Sequence, residues 1–506
     1  MMEPVRETAY GKVKGSIRGG VEIYRGIPYA DSVGNRRFLP ALPPKPWAGV
    51  RDCTRNGFYC PQAGVSITAS WDFGDYFSGG HPERFGCYEE LQGEECLNLN
   101  ILTKQGAKGL PVIVYIHGGG FAAGSGTLVL GADRLVDEQD VVVVGINHRL
   151  NAFGYLYLGH IDIDYAQSGS AGITDLILAL EWIRENIAAF GGDPDNVTLI
   201  GESGGGIKIA TLLSMPRSRG LVRRAVMESA FGKPGRHTPQ KAAEVTGHFL
   251  YLLGIKDNVI ERLKGLRAEH IKEAAIATGL FALEPVADGI SIPYNTENCF
   301  PMADPGVSVL IGTSEDETAA FASEEEHEVK TREEVTDRLV RGCGPAWMHL
   351  KNLDEETAGR LYEVFRENDK KHVDNAHLLM KINSMCGPLE TFSFEHAVDC
   401  SRRIGAPVYR YINAYDAPHR ILPDKFCAWH GAELPLQFRI VRHPQCEEMS
   451  RQLSLSLANY ARTSDPSFED VVWKPFGPDK ETMIIDTKWE MADDPTLPYR
   501  SVWQGM

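Results

Sequence analysis

The chain has 506 residues, 43% hydrophobic and 24% charged, the balance of a globular protein, with a formal net charge of −16. That acidity argues against nucleic acid and anionic membrane as partners. No run of about eighteen apolar residues is present to span a bilayer, and residues 1–15 lack the apolar core of a secretory signal, so a cytoplasmic location is expected. Ten scattered cysteines, without a close Cys-x-x-Cys pair, predict mostly free buried thiols and no metal site.

In chain order, the first strand signal is residues 10–15, Tyr-Gly-Lys-Val-Lys-Gly. Residues 110–116 form a continuous apolar run that predicts a buried strand, followed at once by His117-Gly118-Gly119-Gly120-Phe121. Residues 140–147 predict another buried strand. Such runs, apolar at every position, fit a sheet covered on both faces. Residues 174–190 carry a helical stripe at Leu176, Ile177, Leu180, Ile183 and Ile187, which Gly191-Gly192-Asp193-Pro194 stops. The strand 197–200 then leads into Gly201-Glu202-Ser203-Gly204-Gly205. A strand at 307–311 is followed by the acids Glu315, Asp316 and Glu317. Residues 323–385 are charge-rich and helical in pattern, and are read as a helical insertion that forms a cap. Alternating strands and helices, with no Pro/Gly/Ser linker, predict a single α/β catalytic domain over 1–506.

The chemistry gathers at Ser203. A Gly-x-Ser-x-Gly turn between strand and helix is strained and needs small neighbours, because it thrusts the serine hydroxyl above the sheet. Alone the pattern is weak: glycine is 51 of 506 residues, and chance gives ~0.3 matches. Three further features support it. The His117–Phe121 glycines allow backbone N–H groups to approach a developing oxyanion, with Gly204 N–H as a further donor. A histidine follows late in the chain, and His430 in Trp429-His430-Gly431 is the best placed of fifteen, with His396 and His443 as alternatives. An acid lies between them in the Glu315–Glu317 run, although three adjacent acids are ordinarily a solvated loop. The order serine, acid, histidine is that of α/β-hydrolases.

The chain resembles the type-B carboxylesterase family, which includes the cholinesterases, over nearly its whole length. The resemblance is carried by Arg25-Gly26-Ile27-Pro28-Tyr29-Ala30, Glu94-Glu95-Cys96-Leu97-Asn98, Asn147-His148-Arg149-Leu150, Phe190-Gly191-Gly192-Asp193-Pro194, Gly201-Glu202-Ser203, Pro285-Val286-Ala287-Asp288-Gly289 and His430-Gly431-Ala432-Glu433-Leu434-Pro435. It implies an α/β-hydrolase fold with a mostly parallel sheet. It selects Glu317 as the acid and Gly119, Gly120 and Gly204 as oxyanion donors. It makes Glu202 a buried carboxylate that tunes the site beside the substrate, and pairs Arg37 with Glu94 and Arg149 with Asp175. The family's first disulfide maps to Cys60 and Cys96, its presence depending on compartment. The acyl pocket maps to 278–284, where Phe281 and Leu283 are candidate walls and Gly279 leaves room for a larger acyl group. Trp71, Phe73, Tyr76 and Phe77 fall in the loop that borders the gorge in relatives, and none maps to a choline-binding residue.

Four positions depart from the family. Gly204 replaces an alanine and is expected to loosen the turn. Thr318 replaces the glycine after the acid, Ala432 an aspartate near the histidine, and Lys208 a small residue. Lys208 is read as a helix residue reaching a carboxylate or solvent.

The resemblance implies a serine esterase that forms an acyl-enzyme on a small-molecule ester, without metal or cofactor. Its kcat/KM is expected to rise through an ordinary histidine pKa of ~6–7. A lipase acting on insoluble esters is one alternative. A non-catalytic, neuroligin-like binding protein is another, although such relatives lose members of the triad. Oligomeric state is left open.

Overall fold

Strands whose every side chain is apolar have no face to give to water, and here they form the middle of a large sheet. The computed structural model describes residues 3–63, 92–230, 237–279, 281–294, 304–351, 353–369, 371, 374–418 and 426–503. Its main sheet has eleven strands. In chain order they are β1 (Ser16–Arg18), β2 (Val21–Pro28), β3 (Asn98–Lys104), β4 (Leu110–Ile116), β5 (Val142–Ile146), β6 (Gly192–Glu202), β7 (Arg224–Glu228), β8 (Ser308–Ser314), β9 (Val408–Asn413), β10 (Glu481–Ile485) and β11 (Glu490–Asp493). The spatial order is β11-β10-β9-β8-β7-β6-β4-β5-β3-β2-β1. From β5 through β4 and on to β10 the neighbours are parallel, and both flanks are antiparallel.

The pleat sends alternate residues to opposite cores. Val112, Val114 and Ile116 of β4 pack on one face with helix α1 (Ala171–Asn186) and helix α2 (Gly204–Ser214). Ile113 and Tyr115 pack on the other. That second core also takes α3 (Arg332–Arg341), α4 (Glu355–Asn368), α5 (Asn375–Met385) and α6 (Glu447–Thr463). The helix expected at 174–190 starts three residues earlier, at Ala171; its last turn, Ile187–Phe190, tightens to 3-10 geometry before Gly191 at φ 81. Among the described residues, three α-helices and the 3-10 turn Glu326–Glu328 occupy the expected helical stretch 323–385, each α-helix opened by a side-chain cap: Thr331, Asp354 and Asp374 accept from the third residue on. Among the described residues, no helix is long and apolar enough to cross a membrane.

Candidate active site

Parallel strands deliver their C-terminal ends to one edge of the sheet, and the predicted residues leave from that edge. β6 ends at Glu202, Ser203 turns at φ 55 and ψ −123, and α2 starts at Gly204. A serine held at positive φ is backbone strain at a turn between strand and helix. The turn is pinned from beside it: Ser203 N–H donates to Glu228 O at 2.8 Å.

The glycine triplet after β4 folds back onto this turn. Gly119 and Gly120 take φ 79 and 60. A Cβ on Gly204 would lie 2.4–2.5 Å from Gly120 backbone atoms. Where the sequence leads to the expectation of a looser turn, Gly204 permits the Gly120 backbone to touch the start of α2. Gly119, Gly120 and Gly204 are brought together beside Ser203, and no described residue accepts a hydrogen bond from their N–H groups.

His430 comes from the loop after β9 and is buried. Its Nδ1 is in a short contact with Glu317 Oε2. Its Nε2 lies 2.8 Å from Glu202 Oε1, an approach of charge without the alignment of a hydrogen bond. Burial works against the imidazolium, but the carboxylates of Glu202 and Glu317 outweigh it and hold the His430 pKa well above the ordinary histidine value. Glu317 is oriented in turn: Oε1 accepts from Ser229 Oγ at 2.5 Å and Ser314 N–H at 2.8 Å. Ser229 gives no signal in the sequence beyond being a small residue after a strand. Behind it, the Tyr411 hydroxyl stands 3.1 Å from both Glu228 and Glu433. Burial, with the Glu317 charge adding, raises Glu433 to about 7.

The competing residues go elsewhere. Glu315 pairs with Lys381 at 2.6 Å. Asp316 accepts from Ala428 N–H at 3.1 Å and faces His377 Nε2 at 3.1 Å. His396 is buried on the helix Pro388–Arg403, where burial lowers its pKa to about 3. His443 is exposed. Thr318 is tied to α5: its N–H donates to Ser384 Oγ at 2.9 Å and its hydroxyl accepts from Asn383 Nδ2 at 2.9 Å. Ala432 is buried, its N–H donating to Trp429 O at 3.0 Å.

Aromatic rings continue from the triplet to the histidine. Phe281 stands against Gly120, its Cε1 3.1 Å from where a Cβ would be. Trp347 meets Phe281 at 5.9 Å and Phe321 at 5.4 Å between ring centroids, and Phe321 lies 5.1 Å from His430. Trp347 lies in the stretch 323–385 and carries no signal in the sequence that singles it out. Gly279 ends the helix Ala268–Thr278 at φ 120, a conformation glycine takes readily. Leu283 is buried in the core. Trp71, Phe73, Tyr76 and Phe77 lie outside the described residues.

Two more expectations resolve here. Cys60 and Cys96 are free, buried thiols in contact with each other. Lys208 reaches neither carboxylate nor solvent: it is fully buried, and its Nζ donates to His117 O at 2.9 Å. Both inferred ion pairs form, Arg37 with Glu94 and Arg149 with Asp175.

Comparison with known proteins gives the family. A model of the carboxylesterase family matches residues 2–498. The para-nitrobenzyl esterase of Bacillus subtilis is 33% identical over 520 residues, covering 98% of this chain and 97% of that protein. The cocaine esterase of Homo sapiens is 30% identical over 512 residues, covering 96% of this chain and 88% of that protein. A solved PNB esterase superposes with a TM-score of 0.78 at 31% identity, covering 99% of both chains. The chain belongs to the carboxylesterase family, adopts the α/β-hydrolase fold, and is an enzyme that hydrolyses carboxylic esters.

Proposed function

We propose that hydrolysis runs through an acyl-enzyme on Ser203. Ser203 Oγ attacks the ester carbonyl carbon as His430 Nε2, exchanging Glu202 for the serine, takes the hydroxyl proton. Glu317 keeps Nδ1–H in place and balances the imidazolium. The carbonyl oxygen, now an anion, accepts hydrogen bonds from the N–H groups of Gly119, Gly120 and Gly204. His430 passes its proton to the departing alcohol. Water then repeats the sequence on the acyl carbon and frees the acid and Ser203. The observation that carries this reading is the contact of His430 with Glu317 beside a strained serine whose neighbouring backbone donors are unused.

The substrates proposed are small esters with an aromatic group, which Phe281, Trp347 and Phe321 would contact; the names of the para-nitrobenzyl and cocaine esterases point the same way. The helical stretch 323–385 contributes Trp347 and is proposed as part of the cap, within one catalytic domain. A panel of p-nitrophenyl and naphthyl esters tests the reading, with the parent enzyme and Ser203→Ala compared. Ser203→Ala should lose on the order of 10⁴-fold or more in kcat while staying folded. An organophosphate should label Ser203 alone. Near-parental turnover in the alanine variant would overturn the assignment.

A further inference from the structure

Lys208 takes no part in the steps above, yet it stands directly behind the glycine triplet. It lies on α2, five residues after Ser203, with 0% exposure. Among the described residues no carboxylate pairs with it. Its Nζ donates to His117 O at 2.9 Å, reaches Gly118 O at 3.5 Å, where His117 Nδ1 also lies at 3.0 Å, and stands 5.7 Å from the centroid of the Phe121 ring. An ammonium has three N–H groups and no acceptor. Two carbonyls and a ring face are a complete set of partners for it, the last within cation–π range.

The bonded carbonyls matter because of where their peptide units end. Gly118 C=O and Gly119 N–H belong to one planar peptide, so a donor fixed on the carbonyl fixes the N–H at the other end. Pulling electron density toward the carbonyl oxygen also makes that N–H a better donor. We propose that Lys208 is a positioning residue for the oxyanion hole: its ammonium aims and polarises the Gly119 N–H and sets a positive charge behind the developing oxyanion. This rests on the acyl-enzyme reading above.

The charge is held near its titration point. Burial brings the Lys208 pKa down to about 7. The titratable groups facing it do not replace that charge. His117 and His148 stack at 4.6 Å, and burial first, then neighbouring positive charge, keeps both well below the ordinary histidine pKa. Glu202 lies across Gly118, its Oε2 3.1 Å from where a Cβ on Gly118 would be. Lys208 therefore loses its proton as pH rises through the neutral range. His430, whose pKa is raised, must lose its proton to act as base. The two demands oppose each other and give a bell-shaped profile whose alkaline side falls only because Lys208 loses its proton.

The test uses Lys208→Met and Lys208→Gln in the full chain. Readouts are kcat and KM for p-nitrophenyl acetate from pH 6 to 9, and Ki for an aryl trifluoromethyl ketone, which forms a hemiketal oxyanion on the serine. The proposal expects kcat to fall about 10–100-fold with KM within about threefold, Ki to weaken in proportion, and the alkaline limb to vanish. A folded variant with kcat within twofold of the parent overturns it. So does a fall in kcat that leaves the alkaline limb in place, since packing alone would do that. If neither variant folds, the parent decides: Ki must weaken along the alkaline limb, and a Ki that is constant or tighter up to pH 9 overturns the proposal. Ser203→Ala separates the two levels. An active alanine variant removes the acyl-enzyme reading itself, whereas an inactive one beside an unaffected Lys208→Met removes only the role of the lysine.

Discussion

Glu315, Asp316 and Glu317 are adjacent in sequence but reach three different partners, and their variants should fail in different ways. Glu317 alone touches His430. Glu317→Gln should lower kcat by about 10³–10⁴-fold with little change in folding, because an amide neither balances the imidazolium nor fixes its tautomer. Glu315→Gln leaves Lys381 buried with half of its counter-charge. It should cost on the order of 3 kcal/mol of stability and leave kcat of the folded enzyme within a few fold. Chemical denaturation and kinetics on the same samples separate the two; a severe kcat defect in Asp316→Asn would place the triad one residue off. Glu202 makes a second prediction. Its carboxylate is one of two that raise the His430 pKa, and the base must be neutral to work, so the acid limb of kcat/KM should lie above the ordinary histidine range in the parent. Glu202→Gln should move that limb to lower pH. A profile measured from pH 5 to 9 that stays put, or shifts upward, would remove Glu202 from this role. Ser203 and His430 were legible because each sits in a local pattern. Ser229 and the Tyr411 hydroxyl were not, because only the folded sheet brings them to Glu317 and Glu433.

At the scale of elements, the glycine triplet and α2 act as one unit. The contact between Gly120 and Gly204 leaves no space for a methyl group. Gly204→Ala must push the two backbones apart, separating donors that have to converge on one oxygen. We expect kcat to fall about 10–100-fold with KM little changed, since the loss is felt where charge develops. Unchanged kcat would show that the triplet moves freely, and that its position near α2 carries no catalytic weight. The central strands were readable because parallel strands buried on both faces are apolar throughout: 110–116 is found as Leu110–Ile116 without adjustment. β6 was read from 197, but it begins at Gly192. Its first residues include Asp193, Pro194 and Asp195, which look like a turn and join the strand only through the pairing of Leu110 with Gly192. The walls of the site were read least well. Phe281 sits in a stretch whose helix end, Gly279, is shaped by backbone conformation, and Trp347 arrives from the stretch 323–385, far along the chain.

Across the whole molecule, two ion pairs, one partly buried and one fully buried, join parts that the sheet alone would hold loosely. Arg37 grips Glu94 and donates to the carbonyls of Leu263 and Leu266 at 2.8 and 2.9 Å, tying the N-terminal segment to the helices that follow β7. Arg149 makes a two-point contact with Asp175, Nε to Oδ2 at 2.8 Å and Nη2 to Oδ1 at 2.6 Å, and donates to Leu39 O at 2.8 Å. The end of β5, helix α1 and the N-terminal segment thus meet on one guanidinium. Asp175 is 0% exposed, so removing its partner leaves a carboxylate with no access to water. Arg149→Met should cost about 3–5 kcal/mol, a large part of the ~5–15 kcal/mol that holds a typical domain folded. The urea midpoint should fall sharply, while turnover per folded molecule stays within about threefold, because Arg149 makes no hydrogen bond to Ser203, His430 or Glu317. Pairing the change with Asp175→Leu removes the stranded charge and should recover most of the loss. A single variant as stable as the parent would show that Asp175 finds water or a proton in place. A double variant no better than the single would show that the cost lies in packing and not in the unpaired carboxylate.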